Sequence, residues 1–186
     1  MQKSQQNVKA WMAMFGQDTP IKPGVPSSDI VMMRINTLAE ELGELAMASG
    51  VELHLTAHPS FTKPIIAASI EGDVDMVEVA DALSDLQYFV DGTASAYGLD
   101  LEPFFNEVHR SNMEKFWTQS ELTYMDREWN AKLATIPEGM TVTPYTRAYI
   151  VKRPDGKIMK PPGFNPPRLE PILAAQAMTS GVDKSV

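Results

Sequence analysis

Apolar residues recur every three or four positions in much of the chain, which is the spacing of one face of an α-helix. This periodicity predicts four main helices, over residues 3–15, 29–49, 74–97 and 101–116. Glycines at the predicted ends of the second and third helices, Gly50 and Gly98, are typical helix terminators. Two shorter helical segments are predicted over residues 120–133 and 168–178.

Two other segments lack helical periodicity. Residues 51–72 are rich in Pro, Thr and Ser, and they predict an irregular insertion, with room for a short strand or helix, between the second and third helices. Residues 149–152 alternate in polarity and precede Pro154, Asp155 and Gly156. That pattern predicts a turn between two short strands near the C-terminus.

The predicted elements together indicate an all-α fold. We expect a four-helix-bundle-like core over residues 1–118, which includes the irregular insertion at 51–72. A small irregular or β-hairpin appendage then falls in a C-terminal extension, residues 119–186, which is not expected to be an independent domain. A chain of 186 residues is long enough for one such core.

Composition narrows the possible classes of protein. Hydrophobic residues make up 44% of the chain and charged residues 22%, and no long apolar run resembles a membrane span or a secretory signal. We therefore expect a cytoplasmic protein without a membrane partner. The chain has no cysteine, which excludes disulfides, thiolate catalysis and cysteine zinc sites. The net charge of -8 disfavours binding to a nucleic-acid polymer.

The negative charge is concentrated in the middle of the chain. Between Arg34 and Arg110 there are fourteen Asp and Glu residues, and the only lysine or arginine is Lys63. A solvated helical face usually mixes acids with bases, because such pairs stabilise the helix. A simple acidic surface is a sufficient explanation for Glu71, Asp73 and Asp75, but it fits poorly for acids inside apolar helices.

Six of these acids lie at helical spacing on the second and third predicted helices: Glu40, Glu41, Glu44, Glu78, Asp81 and Asp85. The third helix is apolar nearly all round, which predicts that it is buried. Buried carboxylates must be protonated, paired with cations or bound to metal, and the sequence nearby has too few cations. Two facing helices would gather several oxygen donors, which suits Mg²⁺ or Mn²⁺.

Two simpler interpretations compete with a metal site. Each acidic motif alone is common on amphipathic helices, so the hypothesis depends on their combination. A di-iron bundle would require Glu-x-x-His motifs. None of the three histidines, at positions 54, 58 and 109, has a glutamate three residues before it, so that interpretation is excluded.

A cluster of donor side chains follows the acidic region, near the end of the fourth helix: His109, Arg110, Asn112 and Lys115. Cations near a helix C-terminus are favoured by the helix dipole, which is a sufficient reason for Arg110 and Lys115. His109, Asn112 and Lys115 are three residues apart and share one face, whereas Arg110 lies off it. Such a face is also suited to binding the oxygens of a di- or triphosphate.

The order of these motifs resembles the all-α nucleoside triphosphate pyrophosphatases, a superfamily that includes MazG-like and phosphoribosyl-ATP pyrophosphohydrolase-like proteins. The segment EELGEL supplies Glu-Glu-x-x-Glu, EVADALSDLQYFVDGTASAYGLDL begins with Glu-x-x-Asp, and EVHRSNMEK contains the donor cluster. VKAWMAMFG is similar to the first helix of the family. The resemblance covers residues 7–117, and the insertion at 51–72 is longer than in a compact member.

The resemblance implies Mg²⁺-dependent cleavage of a nucleotide between its α- and β-phosphates, with Mn²⁺ as another usable metal. By position, the implied metal ligands are Glu41, Glu44, Glu78 and Asp81. Glu40 and Glu41 are the implied catalytic glutamates, and Glu40 either binds metal or orients the attacking water. Asp85 has no counterpart in the motif and is expected to support the ligands. The donor cluster of the fourth helix is expected to bind phosphates.

The resulting hypothesis is a hydrolase that converts (deoxy)nucleoside triphosphates to the monophosphate and pyrophosphate. One alternative is hydrolysis of an alarmone such as (p)ppGpp or of a modified nucleotide, and another is a non-enzymatic helical interaction module with a structural metal site. Trp11, Phe15 and Phe61 are candidates for stacking on the base, although each is more typical of a core. The resemblance also implies a homodimer or homotetramer.

Overall fold

The computed structural model describes residues 1–123 and 140–178, in which helices dominate. The helices are α1 (Lys3–Met14), α2 (Ser28–Ala48), α3 (Met76–Ala96), α4 (Leu101–Met113) and α5 (Glu170–Met178). The strands are β1 (Val51–Thr56), β2 (Ile65–Ile70), β3 (Thr141–Tyr145) and β4 (Ala148–Lys152). The predicted helices are confirmed in position. Residues 119–123 are also helical, and most of the segment predicted over 120–133 lies outside the described residues.

The predicted helix terminators have the backbone conformation that favours glycine. Gly50 and Gly98 have φ angles of +65° and +68°. A Cβ atom on Gly50 would lie 2.3 Å from the carbonyl oxygen of Gly72, and one on Gly98 would lie 2.1 Å from that of Lys22. Both positions therefore combine a left-handed backbone with close approach of another chain segment.

Helix α3 begins at a cap that the sequence analysis did not identify. The side chain of Asp75 accepts hydrogen bonds from the backbone N–H groups of Val77 and Glu78. Asp75 also donates its own backbone N–H to the carbonyl of Ala48, at 2.8 Å. The acid thus satisfies the free donors of the first helical turn and fixes the start of α3 beside the end of α2.

The insertion at 51–72 forms a regular hairpin, so the prediction of an irregular segment is wrong. Strands β1 and β2 pair antiparallel, in register from Val51 opposite Ile70 to Thr56 opposite Ile65. Alternation of apolar and polar residues in VELHLT is a strand signal. The backbone donors and acceptors of this segment are paired across the two strands.

The C-terminal hairpin uses a different partner strand from the one expected. β4 pairs antiparallel with the preceding β3, with Tyr145 opposite Ala148 at the turn end. The predicted turn at 154–156 is present, but beyond it only an isolated bridge joins Lys152 to Ile158. Two backbone hydrogen bonds flank this bridge: the N–H of Arg153 donates to the carbonyl of Lys157, and the N–H of Met159 donates to that of Val151.

The chain divides into two compact units. One contains residues Met1–Leu101 and the C-terminal residues from Leu173, and the other contains Glu102–Ile172. In the second unit, the backbones of Trp117 and Tyr149 exchange hydrogen bonds, and the Ser111 hydroxyl donates to the carbonyl of Asn165. Helix α4 falls in this unit because its side chains bond to residues 165 and 168. The boundary of the core after residue 118 stays a prediction.

The first unit has a small internal core. Val8, Met12 and Ala96 form its buried apolar cluster, where α1 packs on α3. Within one chain the buried residues of α3 are Ala82 and five of its last six residues, whereas Leu83 is 51% exposed and Val90 is 40% exposed. The prediction that α3 is buried all along is therefore wrong for the single chain. The four-helix bundle itself stays a prediction.

Among the described residues, none of the helices is both long enough and apolar enough to cross a membrane.

Candidate active site

The six predicted carboxylates lie on two packed helices, α2 and α3. The helices run antiparallel: the end of α2 at Ala48 meets the start of α3 at Asp75. Further along, the Arg34 side chain of α2 lies against Gly92 of α3, where a Cβ atom would come within 3.0 Å of it. Glu41 lies between these two contacts on α2, and Asp85 lies between them on α3.

Glu41 is the centre of the acidic cluster. It is half-buried, and its Oε2 atom is fully buried without a hydrogen-bond partner. Burial raises the pKa of its carboxyl, and the charges of Glu44, Asp85, Glu40 and Asp81 raise this pKa further. Four carboxylates from two helices therefore act on one glutamate, and Asp85, expected only to support the ligands, is one of them.

The remaining carboxylates are exposed and stay apart. Glu40, Glu44, Glu78, Asp81 and Asp85 are all exposed to solvent. In residues 1–123 and 140–178, no group of three histidine or acidic side chains converges closely enough to hold a metal ion. Glu78 is not among the charges that raise the pKa of Glu41.

The donor chemistry of the cluster nevertheless suits a divalent cation. All the side chains are carboxylates, which are the oxygen donors that Mg²⁺ and Mn²⁺ prefer. The buried oxygen of Glu41 lacks a hydrogen bond, and an unsatisfied buried acceptor is costly. A cation would satisfy this oxygen and relieve the repulsion between the acids. Glu41, Glu44, Glu78 and Asp81 thus remain suitable ligands by type, while the coordination itself stays a prediction.

The donor cluster of α4 belongs to the second unit, and its members differ in how they are bonded. Both oxygens of the Glu107 carboxylate accept hydrogen bonds from Arg110, at 2.8 Å each, and Arg110 also forms an ion pair with Glu114. A phosphate role for Arg110 would require these ion pairs to break. His109 stacks parallel to the ring of Phe105. Asn112 is exposed, Lys115 is half-buried, and their phosphate role stays a prediction.

The same network ties α4 to the tail of its unit. Glu107 accepts a hydrogen bond from the backbone N–H of Arg168, and Glu114 accepts one from that of Asn165. The hydrogen bonds from Arg110 are the largest cause that lowers the pKa of Glu107, to about 2. These glutamates thus have a structural use that the sequence analysis did not identify.

The three aromatic candidates for base stacking lie in two places. The rings of Trp11 and Phe15 on α1 are 4.6 Å apart, and Trp11 also meets Tyr88 edge-on. Phe61 lies in the loop between β1 and β2 and contacts His58. Phe15 is 66% exposed and is therefore accessible to a ligand, but no contact joins Phe61 to the other two. Their role in base binding stays a prediction.

Arg34 is a residue that the sequence analysis did not connect with the site. It is only 6% exposed, and it lies seven residues before Glu41, nearly two helical turns, on the same face of α2. Burial lowers the pKa of its guanidinium. The signal in the sequence is an arginine at helical spacing with the inward-facing glutamate.

Comparison with protein-family models supports the resemblance found in the sequence. Residues 8–112 match the phosphoribosyl-ATP pyrophosphohydrolase family. The matched range covers more than half of the chain and includes all six carboxylates. Lys115 lies just beyond the matched range. A search of curated proteins finds none that matches this chain. The chain therefore belongs to the phosphoribosyl-ATP pyrophosphohydrolase family, within the MazG-like all-α nucleoside triphosphate pyrophosphatase superfamily.

Proposed function

We propose that this protein is a Mg²⁺-dependent pyrophosphohydrolase that cleaves (deoxy)nucleoside triphosphates to the monophosphate and pyrophosphate. The observation that carries the proposal is the environment of Glu41. Its buried oxygen has no hydrogen-bond partner, and four other carboxylates raise its pKa. A cluster of this kind is unfavourable by itself, and it becomes favourable when cations neutralise it.

The acidic residues have different roles in the proposed reaction. Glu41, Glu44, Glu78 and Asp81 are the residues that would hold Mg²⁺, or Mn²⁺ in its place. When bound, the cation supplies neutralisation of phosphate charge and a lowered pKa for water. Glu40 is exposed next to Glu41 in sequence and is free to orient water and accept its proton.

The reaction breaks one phosphoanhydride bond. The oxygen of water bonds to the α-phosphorus as the bond from that phosphorus to the bridging oxygen of the β-phosphate breaks. Pyrophosphate leaves with the bond electrons, and the proton of the water passes to Glu40. No covalent intermediate is needed, which is consistent with a chain that lacks cysteine.

The protein is further proposed to act as a homodimer or homotetramer. Apolar side chains on α2 and α3 are exposed in the single chain, with Met32 59%, Ile35 56% and Leu83 51% exposed. Burial of such a side chain stabilises an assembly by up to about 1.5–3 kcal/mol. A second copy of the chain would cover these helices and bury the acidic cluster more deeply.

The proposal is tested by identifying the products. Each common nucleoside triphosphate and deoxynucleoside triphosphate is incubated with the protein and Mg²⁺ or Mn²⁺, and ³¹P NMR separates pyrophosphate from orthophosphate. We expect equal amounts of monophosphate and pyrophosphate, and none in the presence of a chelator. Release of orthophosphate in place of pyrophosphate would contradict the cleavage position, and the absence of any turnover would contradict the enzymatic function.

A further inference from the structure

A cavity of about 640 Å³ lies in the first unit, between the α1–α2 loop and the N-terminal half of α2. This volume is within the range of small-molecule sites. Its walls include the apolar side chains of Val25, Ile30 and Met33, and its polar lining includes Asp18 and Arg34. An apolar wall with a few polar groups is the usual construction of a site that binds and orients an organic ligand.

Arg34 is the buried polar group of this cavity. A guanidinium has five N–H donors, and one of its terminal nitrogens donates to Oε1 of Gln17, at 2.8 Å, and weakly to the sulfur of Met12. The Nε atom is buried without a hydrogen-bond partner. No carboxylate pairs with Arg34 in the described residues, so a ligand carbonyl at the cavity would give this buried cation a partner that it lacks.

The position of Arg34 relates the cavity to the acidic cluster. Arg34 and Glu41 lie on one face of α2, separated by about 10 Å along the helix axis. That separation is of the size that divides the base of a nucleotide from its first phosphates. The antiparallel helix α3 follows α2 over the same distance. Its Gly92 lies beside Arg34, and the charge of its Asp85 acts on Glu41.

We propose that this cavity binds the base of the nucleotide, and that it selects bases with a ring carbonyl next to a ring N–H: guanine, hypoxanthine, uracil and thymine. Arg34 donates to the carbonyl oxygen, and the carboxylate of Asp18, which is exposed at the cavity, accepts from the ring N–H. The walls formed by Ile30 and Met33 cover the faces of the ring. This proposal rests on the proposed function, since it assigns the base of the same substrate.

The selectivity follows from donor and acceptor matching. The carbonyl oxygens of these bases, such as O6 of guanine and O4 of thymine, are acceptors that match the donors of Arg34. Adenine and cytosine carry an amino group at that position, which would place donors against the donors of Arg34. A site with buried polar groups rejects a ligand that leaves them unpaired. We therefore expect kcat/KM for dGTP and dUTP to exceed the values for dATP and dCTP by about tenfold or more.

The test combines turnover with binding of nucleosides that carry no phosphate. Wild type is compared with Arg34→Met, and with Lys22→Met as a control that removes the same charge from the same loop region outside the cavity lining. Guanosine and adenosine, without metal, are the probes for saturation-transfer NMR. We expect Arg34→Met to lose the preference for dGTP over dATP and the guanosine signal, while Lys22→Met retains both.

Arg34 also donates a hydrogen bond to Gln17 in the α1–α2 loop, so replacing Arg34 removes a contact of that loop as well. Ile30→Trp, which fills the cavity and keeps Arg34, is therefore a second variant, and it too should lose the guanosine signal. A preference that is absent in wild type, or unchanged in both cavity variants, would overturn the inference. If wild type binds guanosine through Arg34 but cleaves no nucleotide, the base site stands and the proposed function fails.

Discussion

At the scale of single residues, Glu41 has the least favourable environment of the candidate acids. One carboxylate oxygen is buried without a partner, and Glu44, Asp85, Glu40 and Asp81 all raise the pKa of the group. The sequence identifies these acids because their spacing lays them on facing helices. It does not show that Asp85 acts on Glu41 as directly as Asp81 does, because that depends on how α2 and α3 pack.

A divalent cation should stabilise the folded protein through this cluster. Binding at one hundred times the dissociation constant adds about 2.7 kcal/mol to the free energy of unfolding. We expect Mg²⁺ to raise the melting temperature of chelator-treated protein, and Glu78→Gln to reduce this rise by removing one of the proposed ligands. Differential scanning calorimetry measures the effect.

Glu71→Gln is the matched control for this experiment, because Glu71 is an exposed glutamate outside the cluster. It should respond to Mg²⁺ like wild type. A melting temperature that does not change with metal in wild type, or an equal rise in Glu78→Gln, would contradict the ligand assignment.

At the scale of elements, the sequence predicts the helices well and the strands poorly. The helix ends at Gly50 and Gly98 depend on the preference of glycine for a left-handed backbone, and glycine is identified directly from the sequence. The pairing of Val51 with Ile70 depends instead on residues almost twenty positions apart, which helical periodicity does not report. In the same way, β4 pairs with β3 although the turn at 154–156 is the stronger local signal.

The bonding of α4 to the tail should make part of the stability depend on pH. The pKa of Glu107 is about 2 in the folded protein, below its usual 4.5, because Arg110 and the N–H of Arg168 bond to its charged form. This contribution is present above the usual value and is lost as pH falls toward 2. We expect Glu107→Gln to be less stable than wild type at pH 7, and the difference to shrink in acid.

Urea unfolding from pH 7 to the acid range measures this difference. Glu71→Gln, which lies outside the network, should follow wild type throughout. If the loss of unfolding free energy in Glu107→Gln stays constant with pH, packing stabilises the contact between α4 and residues 165–168, and the charge of Glu107 does not.

At the scale of the whole molecule, the single chain leaves much apolar surface uncovered. Helix α3 is apolar nearly all round, and this led to the expectation of burial, but Leu83 and Val90 are exposed in one chain. Sequence alone does not distinguish burial within a chain from burial between chains, because the apolar pattern is the same in both. We propose that a second copy of the chain buries this apolar surface.

We therefore expect a solution mass of two or four chains, measured by sedimentation velocity. Ile35→Glu places a charge on the exposed apolar face of α2 and should shift the protein toward the monomer. Glu52→Gln, which changes an exposed residue of β1, should keep the wild-type mass. A wild-type mass of one chain would contradict the assembly.

The most direct test of the central claim is the rate of pyrophosphate release by Glu41→Gln. Glutamine keeps the size of the side chain and removes the charge at the centre of the acidic cluster. With Mg²⁺ and the best nucleoside triphosphate, we expect kcat to fall by at least about 10²-fold, the scale of losing a group that stabilises the transition state. Glu71→Gln should retain the wild-type rate. A Glu41→Gln rate equal to that of wild type would place the chemistry elsewhere in the protein.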